Sequence, residues 1–251
     1  MIRTIAALLA LGISGSTGIA AEANHHTIIA TGEYTITIDS SEAPDLCGWV
    51  ETKLKPVVTE WYPKLVEMLP SEGYEAPKQF SITLDKDAKG VAFAGGGKIT
   101  CAVDWFRKNL EGEAVGAVVH EMVHIVQNYG WGRRNTPEVE RKRTPGWITE
   151  GIPDYIRWFL YEPETKGAEI TQRNLARAKY DGNYRISVNF INWVVEKHDR
   201  DIVRKINAAA RAAKYSDELW KEYTGKTVEE LGAEWKEMHE SRLKAADEKK
   251  E

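Results

Sequence analysis

Residues 114–129 read AVGAVVHEMVHIVQNY, and the fold is read outward from this stretch. Val115, Val118, Val119, Met122, Val123, Ile125 and Val126 place apolar side chains on nearly every side of a helix. Such a helix belongs in the middle of a molecule. Yet it also carries His120, Glu121 and His124. Positions i and i+4 of a helix lie one above the other, so the two imidazoles share a face. Buried histidines and a buried carboxylate cost free energy unless they are paired or coordinate something. Two core histidines bonded to backbone would account for one ring well, and for two stacked rings plus a glutamate poorly. The pattern predicts that His120 and His124 grip one zinc ion while Glu121 activates its bound water.

The 251 residues carry a formal net charge of −4. Arg3, the apolar run Ile5 to Ile13 and the small-residue pattern Ala21-Glu22-Ala23 read as a signal peptide over 1–23, cleaved near Ala23. The apolar run is too short to span a bilayer, and no later segment is long enough, so no stable membrane association is expected. Residues 24–245 are expected to form one catalytic domain, with an α/β lobe over about 24–130 and a helical lobe over about 131–245. Residues 246–251 read as a frayed tail. The expected location is secreted or periplasmic, and the expected state is a monomer. Mild acidity without a basic run argues against nucleic acid as a partner. Cys47 and Cys101 are the two cysteines. In an exported chain a lone pair is most simply a disulfide, with two buried thiols as the alternative.

Alternation at Tyr34, Ile36 and Ile38 predicts a strand over Thr27–Ser40, and Phe80, Ile82 and Leu84 predict another over Gln79–Leu84. Between them, Asp45–Leu69 has helical spacing, with Pro56 placed to bend it. Gly95-Gly96-Gly97 predicts a turn, followed by an edge strand through Ile99, Thr100, Cys101, Ala102 and Val103. That strand would either pair with an extended peptide by strand addition or serve as ordinary sheet structure. Everything after Gly112 reads as helical: Gly130-Trp131-Gly132 stops the central helix and Arg133–Thr144 is a charged loop. Helices follow over Trp147–Leu160, Thr165–Ala178, Ile186–Lys197, Ile202–Ala213 and Val228–Lys244. Strands first and helices after predict an α+β fold, with a small, mostly antiparallel N-terminal sheet and a mainly helical C-terminal part.

A catalytic zinc takes three protein ligands and keeps one position for water. The glycine and histidine that a metzincin needs three and six residues past His124 are absent, because Gln127 and Gly130 stand there. His25 and His26 lie at the expected mature N-terminus, His239 on a charged terminal helix, and His198 at a helix end. Glu150 is the better third ligand. With Asp154 it forms an i, i+4 pair flanked by Trp147, Ile148, Ile152, Tyr155 and Trp158. Asp154 would then accept the free ring N–H of one histidine and fix its orientation.

The residues 120–127, HEMVHIVQ, followed by 150–157, EGIPDYIR, resemble the basic secretory protein family of plant and bacterial peptidases. Gly182-Asn183-Tyr184, Phe190-Ile191-Asn192-Trp193 and Thr224–Leu231 are similar to its later motifs, and the resemblance covers roughly residues 28–240. It implies a zincin fold of the gluzincin type, one zinc per chain on two histidines and a glutamate, and a peptide or protein substrate. Tyr184 is then the candidate oxyanion donor, with Tyr155 and Tyr180 as competitors. The chain departs from the family in being acidic and in holding Pro153, which predicts a kink or a helix start near Thr149. Two other readings stand beside this one. Nine tryptophans could make an exported carbohydrate-binding module, or the zinc site could be non-catalytic. Glu121 separates the enzyme from the last, because a structural site has no use for an unliganded carboxylate.

Overall fold

The computed structural model describes residues 25–182 and 184–249, with the backbone alone of Tyr184. The expected signal over 1–23 lies outside the described residues, as do 250 and 251 of the expected tail.

β1 (His26–Thr31) and β2 (Tyr34–Asp39) form an antiparallel hairpin. The single strand expected over Thr27–Ser40 is therefore two, divided where Gly32-Glu33 make a two-residue turn. The chain then winds through a turn at Pro44–Leu46, α1 (Cys47–Trp49), a π turn (Val50–Leu54) and α2 (Lys55–Met68). Pro56 falls in the first turn of α2, where a missing N–H costs little. Val58, Tyr62 and Leu65 of α2 are buried.

α2 returns the chain to the start of the sheet, so β3 (Gln79–Asp85) joins β2 in parallel. β4 (Ala92–Gly95) and β5 (Lys98–Ala102) follow as an antiparallel hairpin, and β5 is parallel to β3. The order is β1-β2-β3-β5-β4. This corrects two expectations. The sheet is mixed rather than mostly antiparallel, because helix α2 makes a crossover of what would otherwise be a meander. The strand expected at an edge over Ile99–Val103 is internal, hydrogen-bonded on both sides, and Val103 already opens α3 (Val103–Asn109). The edge on this side is β4, whose exposed Phe93 and small neighbours give little alternation to read.

The remaining elements are α4 (Ala114–Gln127), α5 (Tyr129–Asn135), α6 (Gly146–Tyr155), α7 (Gln172–Leu175), α8 (Tyr184–Lys197), α9 (Ile202–Arg211), α10 (Glu218–Thr224) and α11 (Val228–Glu248). A short turn at Glu138–Glu140 and a π turn at Ile156–Tyr161 interrupt them. No strand follows β5 among the described residues. Helix α4 lies between the sheet and the helical half, touching α2, β4, β5 and α6. Its end is set by Asn128 in the left-handed region (φ 39°), not by Gly130-Trp131-Gly132, which lie inside α5. The helix expected over Thr165–Ala178 shrinks to α7, because Gly167 packs flat on the Trp158 ring and a capping box between Thr171 and Asn174 starts the helix late. α11 continues to Glu248, into the stretch expected to fray.

Cys47 and Cys101 are free thiols, which corrects the expected disulfide. They face different surroundings. Cys47 Sγ lies 3.2 Å from Ser40 Oγ and 3.5 Å from His25 Nδ1. Cys101 is fully buried on β5, where burial first, and then the Glu121 carboxylate, push its thiol far up.

Arg211, fully buried at the end of α9, ties the halves together. It donates to the carbonyls of Leu69, Val126 and Gln127, two of them at the unpaired C-terminal end of α4, and to Ser71 Oγ. Gly132 makes this approach possible, since a Cβ there would fall 1.5 Å from the Arg211 carbonyl oxygen.

Candidate metal centre and active site

His120 and His124 project from one face of α4, their ring centroids 5.0 Å apart. Glu150 arrives from α6, and its Oε2 lies 3.3 Å from the Nε2 of each ring. All three ligand atoms lie within 4.8 Å of one another, the one such group among the described residues. The donor set fits zinc. Bonds of roughly 2.0–2.1 Å in a tetrahedron put neighbouring ligands about 3.3 Å apart, the separation found between Glu150 and each histidine.

The outer partners fix which ring nitrogen faces inward. His120 Nδ1 donates to Asp154 Oδ1 at 2.9 Å, and His124 Nδ1 donates to Gln127 Oε1 at 2.8 Å. The Gln127 amide is oriented by its other end, which donates to Tyr129 Oη at 3.0 Å and to the Thr149 carbonyl at 3.2 Å. With both Nδ1–H groups spent outward, two Nε2 lone pairs and a carboxylate converge on one point. Three acceptors in that geometry call for a cation. Without a metal a proton takes the cation's place: burial lowers the affinity of His120 for a proton, but Asp154 and Glu150 overcome it and raise its pKa to about 9, so that Nε2 then carries a hydrogen. Hydrogen bonds from His120 and His124 hold the Glu150 carboxyl far below its usual range.

α6 starts at Gly146 and runs through Pro153. Pro153 has no N–H to offer the Thr149 carbonyl one turn back, and that carbonyl is the one Gln127 takes. Gly151, next to Glu150, lets α6 lie against α8, because a Cβ there would meet Ile191 Cδ1 at 2.8 Å.

Glu121 is 8 % exposed and lines the cavities on both sides of the histidines. Burial raises its pKa above the ordinary carboxyl value, while His120, His124 and the Ala94 N–H on β4 pull against that rise. One cavity, of about 420 Å³, runs past His124 between β4 and Tyr129. The other, of about 450 Å³, runs past His120 to Trp158, Arg157 and Arg185.

The structure thus brings together His120, His124, Glu121, Glu150 and Asp154. Tyr184 opens α8, but its side chain lies outside what is described. Tyr155 and Tyr180 line neither cavity, and Tyr180 packs on Trp147 and Phe190. His198 sits against Trp193, and His239 bonds to Asn189. Sequence reading passed over Gln127, although it stands three residues after His124 and so on its face. It also passed over β4 and Tyr129.

The family model for BSP, described as a peptidase of plants and bacteria, matches residues 51–237. The chain belongs to this family. The BSP match begins in the π turn before α2 and ends in α11, so it contains both arms of the site and leaves out the β1–β2 hairpin. As a member of a peptidase family, the chain is assigned to the hydrolases. No curated protein and no solved structure matches it at a significant level.

Proposed function

We propose that the chain is an exported, zinc-dependent metallopeptidase with a zincin-type fold and a gluzincin ligand set. The observation that carries this reading is the convergence of His120 Nε2, His124 Nε2 and Glu150 Oε2 beside a buried, unliganded Glu121. One zinc bound there would supply a water acidic enough to ionise near neutrality and would polarise the scissile carbonyl.

The protein's own groups do the rest. Glu121 accepts the proton of the attacking water and hands it to the leaving amine. Asp154 and Gln127 hold the two rings in the tautomer that points Nε2 inward. The substrate peptide extends along the free edge of β4, whose Ala92, Phe93 and Ala94 line the cleft. Tyr184 remains the proposed oxyanion donor, from the first turn of α8.

The proposed setting is secreted or periplasmic, with 1–23 as signal peptide, and the proposed partner is a peptide or protein, bound by a monomer. No described helix is long and apolar enough to cross a membrane. All nine tryptophans are buried or half-buried, which favours this reading over a sugar-binding platform. Metal analysis and cleavage of a peptide library by wild type and Glu121→Gln test it. The variant should keep about one zinc and lose cleavage. Equal cleavage by the two proteins would sink the mechanism.

A further inference from the structure

The segment Arg133–Arg143 holds five cations, Arg133, Arg134, Arg141, Lys142 and Arg143, against two carboxylates, Glu138 and Glu140, in a chain of net charge −4. None of the five forms an ion pair among the described residues. Lys142 acts only at longer range, adding to the Ser216 hydrogen bond that chiefly lowers the Glu218 carboxyl. Four of the five line a cavity of about 350 Å³, with Tyr129 and Thr149 on its inner side. Tyr129 and Thr149 also line the cavity past His124, so the two spaces adjoin.

The loop that carries the cations is tied down by hydrogen bonds to backbone carbonyls. Lys142 N donates to the Ala213 carbonyl at 2.7 Å, Thr136 Oγ1 donates to the Ala212 carbonyl at 2.9 Å, and Arg141 Nε donates to the Thr136 carbonyl at 2.8 Å. A cleft wall carrying one sign of charge focuses its field on whatever enters. Guanidinium groups add a fork geometry suited to carboxylates.

We infer that this basic pocket is a subsite of the cleft, on the His124 side of the scissile bond, and that it takes acidic side chains of the substrate peptide. The inference rests on the peptidase reading for its meaning, and the test separates the two. Continuity with the cleft and the overall negative charge favour an acidic peptide over nucleic acid.

Fluorescence anisotropy with folded, full-chain Glu121→Gln protein measures binding without turnover. The probes are a labelled alanine-rich decapeptide with two glutamates near one end and its lysine counterpart, and the wild type is assayed for cleavage of both. The glutamate peptide should bind roughly tenfold tighter, with the preference shrinking as salt rises. Arg141→Glu should remove that preference, and Arg143→Gln, at an exposed side chain, should reduce it while the melting temperature holds. Equal binding of the two peptides overturns the inference, even with cleavage intact. So does a duplex DNA oligomer that displaces the glutamate peptide at lower concentration than the unlabelled peptide does. Preferential binding without cleavage of any peptide keeps the pocket as an acidic-peptide site and rejects the peptidase reading.

Discussion

The side-chain amide of Gln127 donates to the backbone carbonyl of Thr149, the carbonyl that Pro153 leaves without its helical donor. The same side chain accepts from His124 Nδ1 at 2.8 Å. A local defect in α6 is thus used to orient a ligand on α4. Gln127→Leu should keep the fold and weaken zinc binding by roughly 10–100-fold, as loss of an outer partner does. Competition against a chelator of known affinity measures it. An unchanged affinity would mean that Gln127 serves packing only.

Glu150 is the candidate ligand that reaches across from α6 to the two histidines of α4. Glu150→Ala should leave two histidines and bind zinc far more weakly, and it should also lower the metal-free melting temperature, because the contacts of Glu150 to both histidines are lost. In wild type, zinc at a hundredfold excess over its dissociation constant should add about 2.7 kcal/mol to stability. Calorimetry with and without chelator reads both effects. Equal zinc stabilisation of the variant would move the third ligand elsewhere.

Arg211 occupies three backbone acceptors and one hydroxyl, all buried or partly so. Arg211→Met keeps volume but strips the Leu69 and Gln127 carbonyls of this donor and leaves Val126 with the Tyr74 hydroxyl alone, at a cost of about 3 kcal/mol or more. Urea titration should show the lower midpoint. Arg211→Lys should recover only part of the loss, because one ammonium cannot reach all four partners.

His239 is neutral in the fold. Asn189 Oδ1 takes its Nε2–H at 2.9 Å, and Arg242 approaches Nδ1 at 3.3 Å. Burial first, and then the Arg242 charge, lower its pKa from 6.5 to about 4. The unfolded chain therefore binds a proton that the fold refuses. The stability His239 contributes is whole above pH about 6.5 and is lost as pH falls toward about 4. His239→Gln should flatten the melting-temperature profile in that window. A profile as steep as wild type would place the acid sensitivity elsewhere.

The central helix and the candidate metal-binding face were legible in sequence because both are local. The apolar surround of α4 and the i, i+4 pairs of α4 and α6 require no knowledge of distant partners. The sheet was only half legible. Alternation at Ile36 and Ile38 marks a strand, but the same alternation serves a parallel or an antiparallel neighbour. The crossover role of α2 had to be seen for the right choice. β4 escaped because Ala92, Ala94 and Gly95 give too little side chain to form a pattern. Cys47 and Cys101 misled because compartment and parity say nothing about which way two side chains point. Arg211 was invisible for a different reason: its partners Gln127 and Leu69 lie 84 and 142 residues away.

Those long separations bear on the order in which the candidate site is assembled. The two histidines sit on α4, their third companion 26 residues beyond His124, and the arginine that seals the end of α4 another 61 positions later. Contacts so distant in sequence form late, after the intervening loops have closed. A chain still emerging from synthesis holds two imidazoles without their third companion. Until both helices have folded and packed, the three candidate ligands stay apart.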